Sequence, residues 1–201
     1  GQGAPHRFRG NNAAVTGLME LQFDRYREVA GLNRFAESTE SSSQDSQEIA
    51  ALIAVLRDGD ESHKVSAAQR LSLFRNPLAG PALAECLHDR SREVRVAAAM
   101  SLSACGGRES IAPLLDALVS PEPLVAQAAA VAIENLTGST EPFDASATQA
   151  QRRQQATQWR QWFANTSWEK IEAELIQRLQ SSDRDVVRRA AVALGHTGGD
   201  A

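Results

Sequence analysis

The side chains most able to ligate a metal or attack a substrate are four histidines, His6, His63, His88 and His196, and two cysteines, Cys86 and Cys105. Glu85 and His88 stand three apart, a spacing that puts a carboxylate and an imidazole on one face of a helix. A di-metal helical site needs a second such half, and the chain has none. The pair therefore reads as a chance meeting on a helix surface. Neither cysteine belongs to a C-x-x-C step or has a histidine at zinc spacing. No G-x-S-x-G elbow occurs, and the pairs Gly106-Gly107 and Gly198-Gly199 read as helix stops rather than phosphate loops. No catalytic residue, metal site or cofactor is expected from these patterns.

The elements that carry these residues repeat. Leu87, Val94, Leu102 and Gly107 recur 31 positions later as Leu118, Val125, Ile133 and Gly138. The same step backwards reaches Leu56, His63, Leu71 and Asn76, and a step of 61 forwards reaches Leu179, Val186, Leu194 and Gly199. A fixed period in this range marks a solenoid of stacked supersecondary units. Each unit reads as two antiparallel helices. In the second unit these run from about Pro81 to His88 and from about Arg92 to Ala104, with Ser91 placed to cap the second. Ser120-Pro121 and Ser182-Asp183 stand at the same joint in units three and four. The column Asn76, Gly107, Gly138, Gly199 follows each second helix with residue types that tolerate a left-handed stop. His63 replaces the valine of its column and reads as a core residue. On this pairing about nine residues separate Cys86 and Cys105 along a helix axis, about 14 Å, too far for a disulfide, so both are expected as free thiols packing as small hydrophobes.

The second unit, Asp89…Val94-Arg95-Val96-Ala97-Ala98-Ala99…Leu102…Gly106-Gly107, resembles a HEAT repeat, and its short alanine-rich form is similar to the HEAT-like repeats grouped with phycobilisome lyases. Asp185-Val186-Val187-Arg188-Arg189-Ala190-Ala191…Leu194-Gly195 matches nearly as well. The first unit departs from the pattern at His63-Lys64 and Asn76, and the third has Ala126 where arginine is usual. The resemblance implies an all-α, right-handed α-solenoid of about four helix pairs: repeats 47–76, 77–107, 108–138 and 167–199 within a domain spanning 47–201. It specifies a fold more than a function, since this repeat serves many unrelated proteins. The paired His-Glu steps of HEAT-type di-iron hydroxylases are absent.

Two segments lie outside the repeats. Residues 1–36 form an extension in which Val15, Leu18, Met19, Phe23, Tyr26, Val29 and Leu32 trace an apolar stripe on a helix beginning near Asn12. That helix suits a cap over the first repeat or a tether for another protein's groove. Residues 37–46 read as a polar linker. An insertion over 139–166 separates units three and four, with a helix expected from Ala147 to Ala164. The three tryptophans, Trp159, Trp162 and Trp168, fall in it or at its edge, beside Phe163, and its layout resembles an insertion of some bacterial HEAT-like proteins. These rings either seal the insertion onto the array or form an aromatic patch for a partner.

Composition narrows the functional classes. Aromatics make up 5% of the chain and the apolar total is 42%, much of it alanine suited to close helix packing. A net charge of −4 and a pI near 5.6 argue against bulk attraction to nucleic acid or an anionic membrane. No apolar run is long enough to span a bilayer. Arg90, Arg92 and Arg95, and again Arg184, Arg188 and Arg189, gather at equivalent turns, where interspersed acids favour solvated faces. The second helices of HEAT arrays line the concave face, which makes Lys64, Arg95, Gln127 and Arg188 its candidate contacts. The expected role is a non-catalytic protein-interaction scaffold or accessory subunit with another protein as partner. The alternatives are a bilin-lyase-like enzyme or a HEAT-like nucleic-acid-binding protein. The cytoplasm is the favoured compartment, and the lack of an initiator Met keeps a processed, exported chain as the alternative.

Overall fold

The computed structural model describes residues 32–139 and 143–197, and every element among them is helical. The chain divides into two units, Gly1–Ser46 and Gln47–Ala201. Helix α1 (Leu32–Asp58) crosses that division. The apolar stripe expected over residues 12–36 lies outside the described residues up to position 31. The stretch 37–46, expected as a linker, is instead helical. It contains neither glycine nor proline, and serine costs only a fraction of a kcal/mol in a helix, so nothing halts a helix that continues to the buried Ile49 and Leu56.

The second unit runs α2 (Glu61–Phe74), α3 (Gly80–Cys86), α4 (Arg92–Cys105), α5 (Ile111–Ala117), α6 (Pro123–Thr137), α7 (Gln149–Asn165), α8 (Trp168–Arg178) and α9 (Arg184–Thr197). Short 3-10 turns, Pro77–Ala79 and Arg108–Ser110, lead into α3 and α5. The starts follow from local capping chemistry. Asp60 accepts from the His63 amide, Ser91 from Val94, Thr148 from Gln151 and Ser167 from Lys170. In the third repeat the helix begins two residues later than Ser120-Pro121 suggests, with Glu122 at the cap and Pro123 at the first turn.

Helices α3 and α4 pack as one pair and α5 and α6 as the next, while α2, α4 and α6 lie side by side as a row of second helices. The repeat columns explain why they fit. Ala67, Ala98 and Ala129 are all buried and bring the row's backbones close, and Leu71, Leu102 and Ile133 fill the layer behind them. Truncating any of these large aliphatics costs about 2–5 kcal/mol. On α4, Ser101 Oγ donates to Ala68 O at 2.7 Å and Cys105 Sγ to Leu71 O at 3.2 Å, and Cys86 Sγ donates to Leu56 O at 3.7 Å. Both thiols are free and buried, and burial pushes both above the ordinary thiol range.

The closing column works differently from its sequence pattern. Gly138 takes the left-handed conformation, φ 62, but the matching stop of the first repeat is Arg75, φ 51, while Asn76 caps the next turn by accepting from Leu78 N. Gly107 is extended, and Gly199 lies outside the described residues. The glycine that matters in the second repeat is Gly106, where a Cβ would stand 2.6 Å from Leu102 O and 3.1 Å from Leu136 Cδ1. Close approach, not a positive φ, selects it. His63 is exposed, not in the core, because it stands in the first turn of α2, where its Nδ1 lies 2.9 Å from the carboxylate of the cap, Asp60.

The fourth pair departs from the row. In-register stacking would set Val186 beside Val125 and Gly199 beside Gly138. Instead Val186, Arg189 and Ala190 share a cavity wall with Glu134, Asn135 and Gly138, and a Cβ on Gly138 would lie 3.5 Å from Ala193 Cβ. Further along α9, His196 Nδ1 sits 3.2 Å from Gly106 O and Arg108 donates to Thr197 O. Helix α9 thus runs back across the carbonyl ends of α6 and α4. It has a small core of its own, Ile171, Leu175, Ala190 and Ala193.

Candidate functional site

The second helices leave one apolar groove open. Val65, Gln69 and Ser72 of α2, Val96, Ala97 and Met100 of α4, and Leu124 of α6 line a cavity of about 420 Å³. Met100 is 49% exposed and Leu124 61% exposed, so large apolar side chains face solvent here without a partner among the described residues. Arg92 and Glu93 stand at the rim and pair with each other at 2.8 Å, which leaves the groove close to neutral. Its positions follow from the repeat: Val65 and Val96 occupy one column, as do Gln69 and Met100. Gln127 is the next member of the Val65 column, on α6, and is exposed.

Lys64 and Arg95 belong to the adjacent column and do other work. Lys64 Nζ pairs with Asp89 at 2.8 Å, reaching from the first repeat to the turn of the second. Arg95 pairs with Glu122 at 2.8 Å in the same way, and its Nη1 also donates to Asp89 O and Arg90 O. A bond from Ser120 and then the Arg95 guanidinium hold the Glu122 carboxyl below its ordinary range. Burial opposes ionisation of Asp89, but bonds from Lys64 and the Ser91 amide outweigh it and hold that carboxyl low as well. The Asp89 contact likewise raises Lys64. One residue of register therefore separates a rung between repeats from a residue of the open face. Arg188 is exposed on α9, outside the groove, within 3.4 Å of Asp185.

The third repeat has Ala126 in the Lys64–Arg95 column, and the insertion fills the gap. Arg152 of α7 is 3% exposed and donates through Nη2 to Ser120 O at 3.0 Å and Pro121 O at 3.2 Å. Those carbonyls are the repeat equivalents of Asp89 O and Arg90 O, which Arg95 holds. Its Nη1 reaches Ala147 O at 2.7 Å and Ala145 O at 3.3 Å. Sequence reasoning passed over Arg152; the available signal was the missing arginine at Ala126.

The aromatic residues form a seam rather than a free patch. Trp159 is 2% exposed, buried in the main core, and its Nε1 has no acceptor among the described residues. Phe163 meets Trp162 edge-on at 4.7 Å and lies 6.4 Å from both Trp159 and Trp168. Trp168 is covered by the Arg108 guanidinium at 5.2 Å, and Arg108 also pairs with Glu172. The cluster joins the main core to the small core of α8 and α9, with only Trp162, Phe163 and Trp168 partly open. Among the described residues no group of three His, Cys, Asp or Glu side chains is placed to hold a metal. His88 and Glu85 are exposed.

The model of the family of HEAT repeats matches residues 49–134. This segment is similar to HEAT repeats, and it includes every residue that lines the groove. No curated protein matches the sequence. No helix among the described residues is long and apolar enough to cross a membrane.

Proposed function

We propose that this chain is a non-catalytic protein-interaction module, a right-handed HEAT-like solenoid that holds a segment of another protein in the groove across α2, α4 and α6. The exposed apolar floor, Val65, Val96, Met100 and Leu124, carries this reading. HEAT repeats commonly mediate protein–protein contacts, and a groove with apolar walls and a polar rim is what an amphipathic segment requires. The Lys64–Asp89 and Arg95–Glu122 rungs support it, because they fix the spacing of the three helices that form the floor. Packed helices lie about 8–10 Å apart from axis to axis, so a row of three presents about 20 Å of floor, the length of a helix of about 13 residues.

The test is affinity purification of the full chain from its native source, in parallel with Met100→Asp and Leu124→Asp. A protein retained by the wild type and lost from both variants at unchanged melting temperature is the expected result. Retention that ignores both substitutions, or no retained protein together with a turnover that the purified chain performs, overturns the reading. A pigment that copurifies with the chain would turn the argument to the bilin-lyase-like alternative, and salt-sensitive retention on duplex DNA to the nucleic-acid one.

A further inference from the structure

A second concavity lies one helical turn beyond Met100, where α9 closes over the carbonyl ends of α2 and α4. It encloses about 530 Å³ between Arg75, Pro77, Ala104 and Gly107 on one side and Val192 and His196 on the other, with Arg108 and Glu109 at its edge. Its charged groups are unevenly partnered. Arg108 is spent on Glu172 and on Thr197 O. The Glu109 carboxylate lies against Gly107 and within 3.2 Å of where a Cβ on Gly80 would stand, at the start of α3, where helix N–H groups favour negative charge. His196 is half-buried and directs Nδ1 at the Gly106 carbonyl, which can only accept, so Nδ1 carries the proton and the other ring nitrogen is left over. The guanidinium of Arg75 has no ion pair among the described residues. Arg75, exposed at the mouth of the cavity that it lines, is also their one non-glycine residue with positive φ, a conformation that costs on the order of 1 kcal/mol.

We infer that this cavity binds a carboxylate with a short apolar body, with Arg75 as the anchoring cation. One unmatched guanidinium suits a monoanion and provides a planar fork for two carboxylate oxygens. Pro77, Ala104, Ala191 and Val192 supply the apolar half of the wall, which a bare phosphate would leave unused. A dianion would meet Glu109 at the rim without a second free cation. The proposal stands apart from the groove, because none of its residues lines that surface.

The test uses the full chain, isotopically labelled for NMR, with sodium hexanoate as probe. Hexanamide serves as the neutral control, and inorganic phosphate as the competing anion. Expected are saturable shifts at Gly106, Gly107 and His196 with an apparent Kd in the millimolar range, on the order of a few mM. The His196 ring, which faces Arg75, Arg108 and Glu109 in this cavity, should titrate about half a pH unit higher with hexanoate bound. Arg75→Ala should remove both effects, Arg75→Lys should retain part of them, and Met100→Asp should leave them intact. A peptide with a free α-carboxylate, tested against its amide, separates a protein terminus from a free acid: tighter binding than hexanoate assigns the pocket to a terminus. Shifts that do not saturate, that persist in Arg75→Ala, or that phosphate or hexanamide reproduces would overturn the assignment. So would an Arg75→Ala variant that melts lower while hexanoate moves nothing in the wild type, since Arg75 would then serve only the carbonyl end of α2.

Discussion

Arg152→Ala is the sharpest test of how the insertion is joined to the repeats. The wild-type guanidinium makes four bonds to backbone carbonyls, two on the turn of the third repeat and two within its own loop. At 3% exposure these bonds have little water to replace them. Each bond from a charged donor contributes about 1.5–3 kcal/mol, and each carbonyl stranded in the interior costs about 1–3 kcal/mol. Relief of the buried cation's own desolvation offsets part of this sum, as does its Nε, which has no acceptor among the described residues. A net loss of about 3–5 kcal/mol remains, the range found when one partner of a buried ionic contact is removed. For a unit of this size that lowers the melting temperature by about 10 °C. The assay is urea unfolding followed by circular dichroism and tryptophan fluorescence, with Arg153→Ala, its exposed neighbour, as control at under about 0.5 kcal/mol. The correspondence with Arg95 gives a second arm. Ala126→Arg placed in the Arg152→Ala background restores an arginine to the repeat's own column and should recover part of the loss. A loss below about 1 kcal/mol, or one equal to that of Arg153→Ala, would refute the view that the insertion donates the missing rung.

Three further outcomes follow from the same structure. A double-mutant cycle on Arg95 and Glu122 should return a coupling of about 1 kcal/mol, and the cycle on the exposed Arg188–Asp185 contact should return almost none. Gly106→Ala should cost about 1–3 kcal/mol in urea unfolding, because its Cβ would meet Leu102 O and Leu136, and Gly195→Ala, which meets nothing, should cost none. Burial, with Arg75 nearby, holds His196 below its ordinary range. The folded state then binds the proton more weakly than the unfolded chain, so this stability is complete above pH of about 6.5 and declines as the pH falls from there toward the folded value. Thermal melts from pH 7.5 to 5 should show that decline, and His196→Gln should abolish it; a flat profile in the wild type would refute the sign. The depressed carboxyls of Asp89 and Glu122 act in a separate window, below about pH 4.5, where their contribution is lost as each protonates.

The helix pairs were legible because their signals are local. Ser91, Val94, Ala98, Leu102 and the glycines that follow lie within one repeat, where apolar period and capping act over a few residues. The candidate surface was only half legible. Lys64 and Arg95 sit one position before Val65 and Val96, and a rotation of about 100° along a helix decides whether a side chain bridges repeats or faces the groove. Composition cannot resolve that angle; the acceptors at Asp89 and Glu122 can, once the next repeat is in place. The tryptophans left two readings open for a related reason. Aromatic enrichment marks interfaces of every kind, and here the interface is internal, between two cores of one chain. The helix through 37–46 escaped because polar composition was read as flexibility, though no residue in it breaks a helix.

The fourth repeat shows how a sequence repeat can persist while its stacking changes. What the pattern preserves in α9 is the side that seals its own pair, Ala190 and Ala193 against Ile171 and Leu175 of α8. What a third rung would need is a cation in the third repeat at position 126, and Ala126 supplies none. Helix α7 occupies the neighbouring position instead, packing on α5 and supplying Arg152 to the turn. With that place taken, α9 finds its contacts at the carbonyl ends of α6 and α4, where Arg108, His196 and the aromatic seam hold it. The insertion therefore ends the row of second helices at α6 and, by turning α9 aside, creates the cavity that Arg75 lines. A variant lacking residues 143–166 should then lose the in-register third rung and the cavity together, while α2, α4 and their groove wall remain folded. Hydrogen exchange would register this as protection retained over residues 61–105 and lost over 184–197. Retained protection in α9 without the insertion would show that the crossing is a property of α8 and α9 alone.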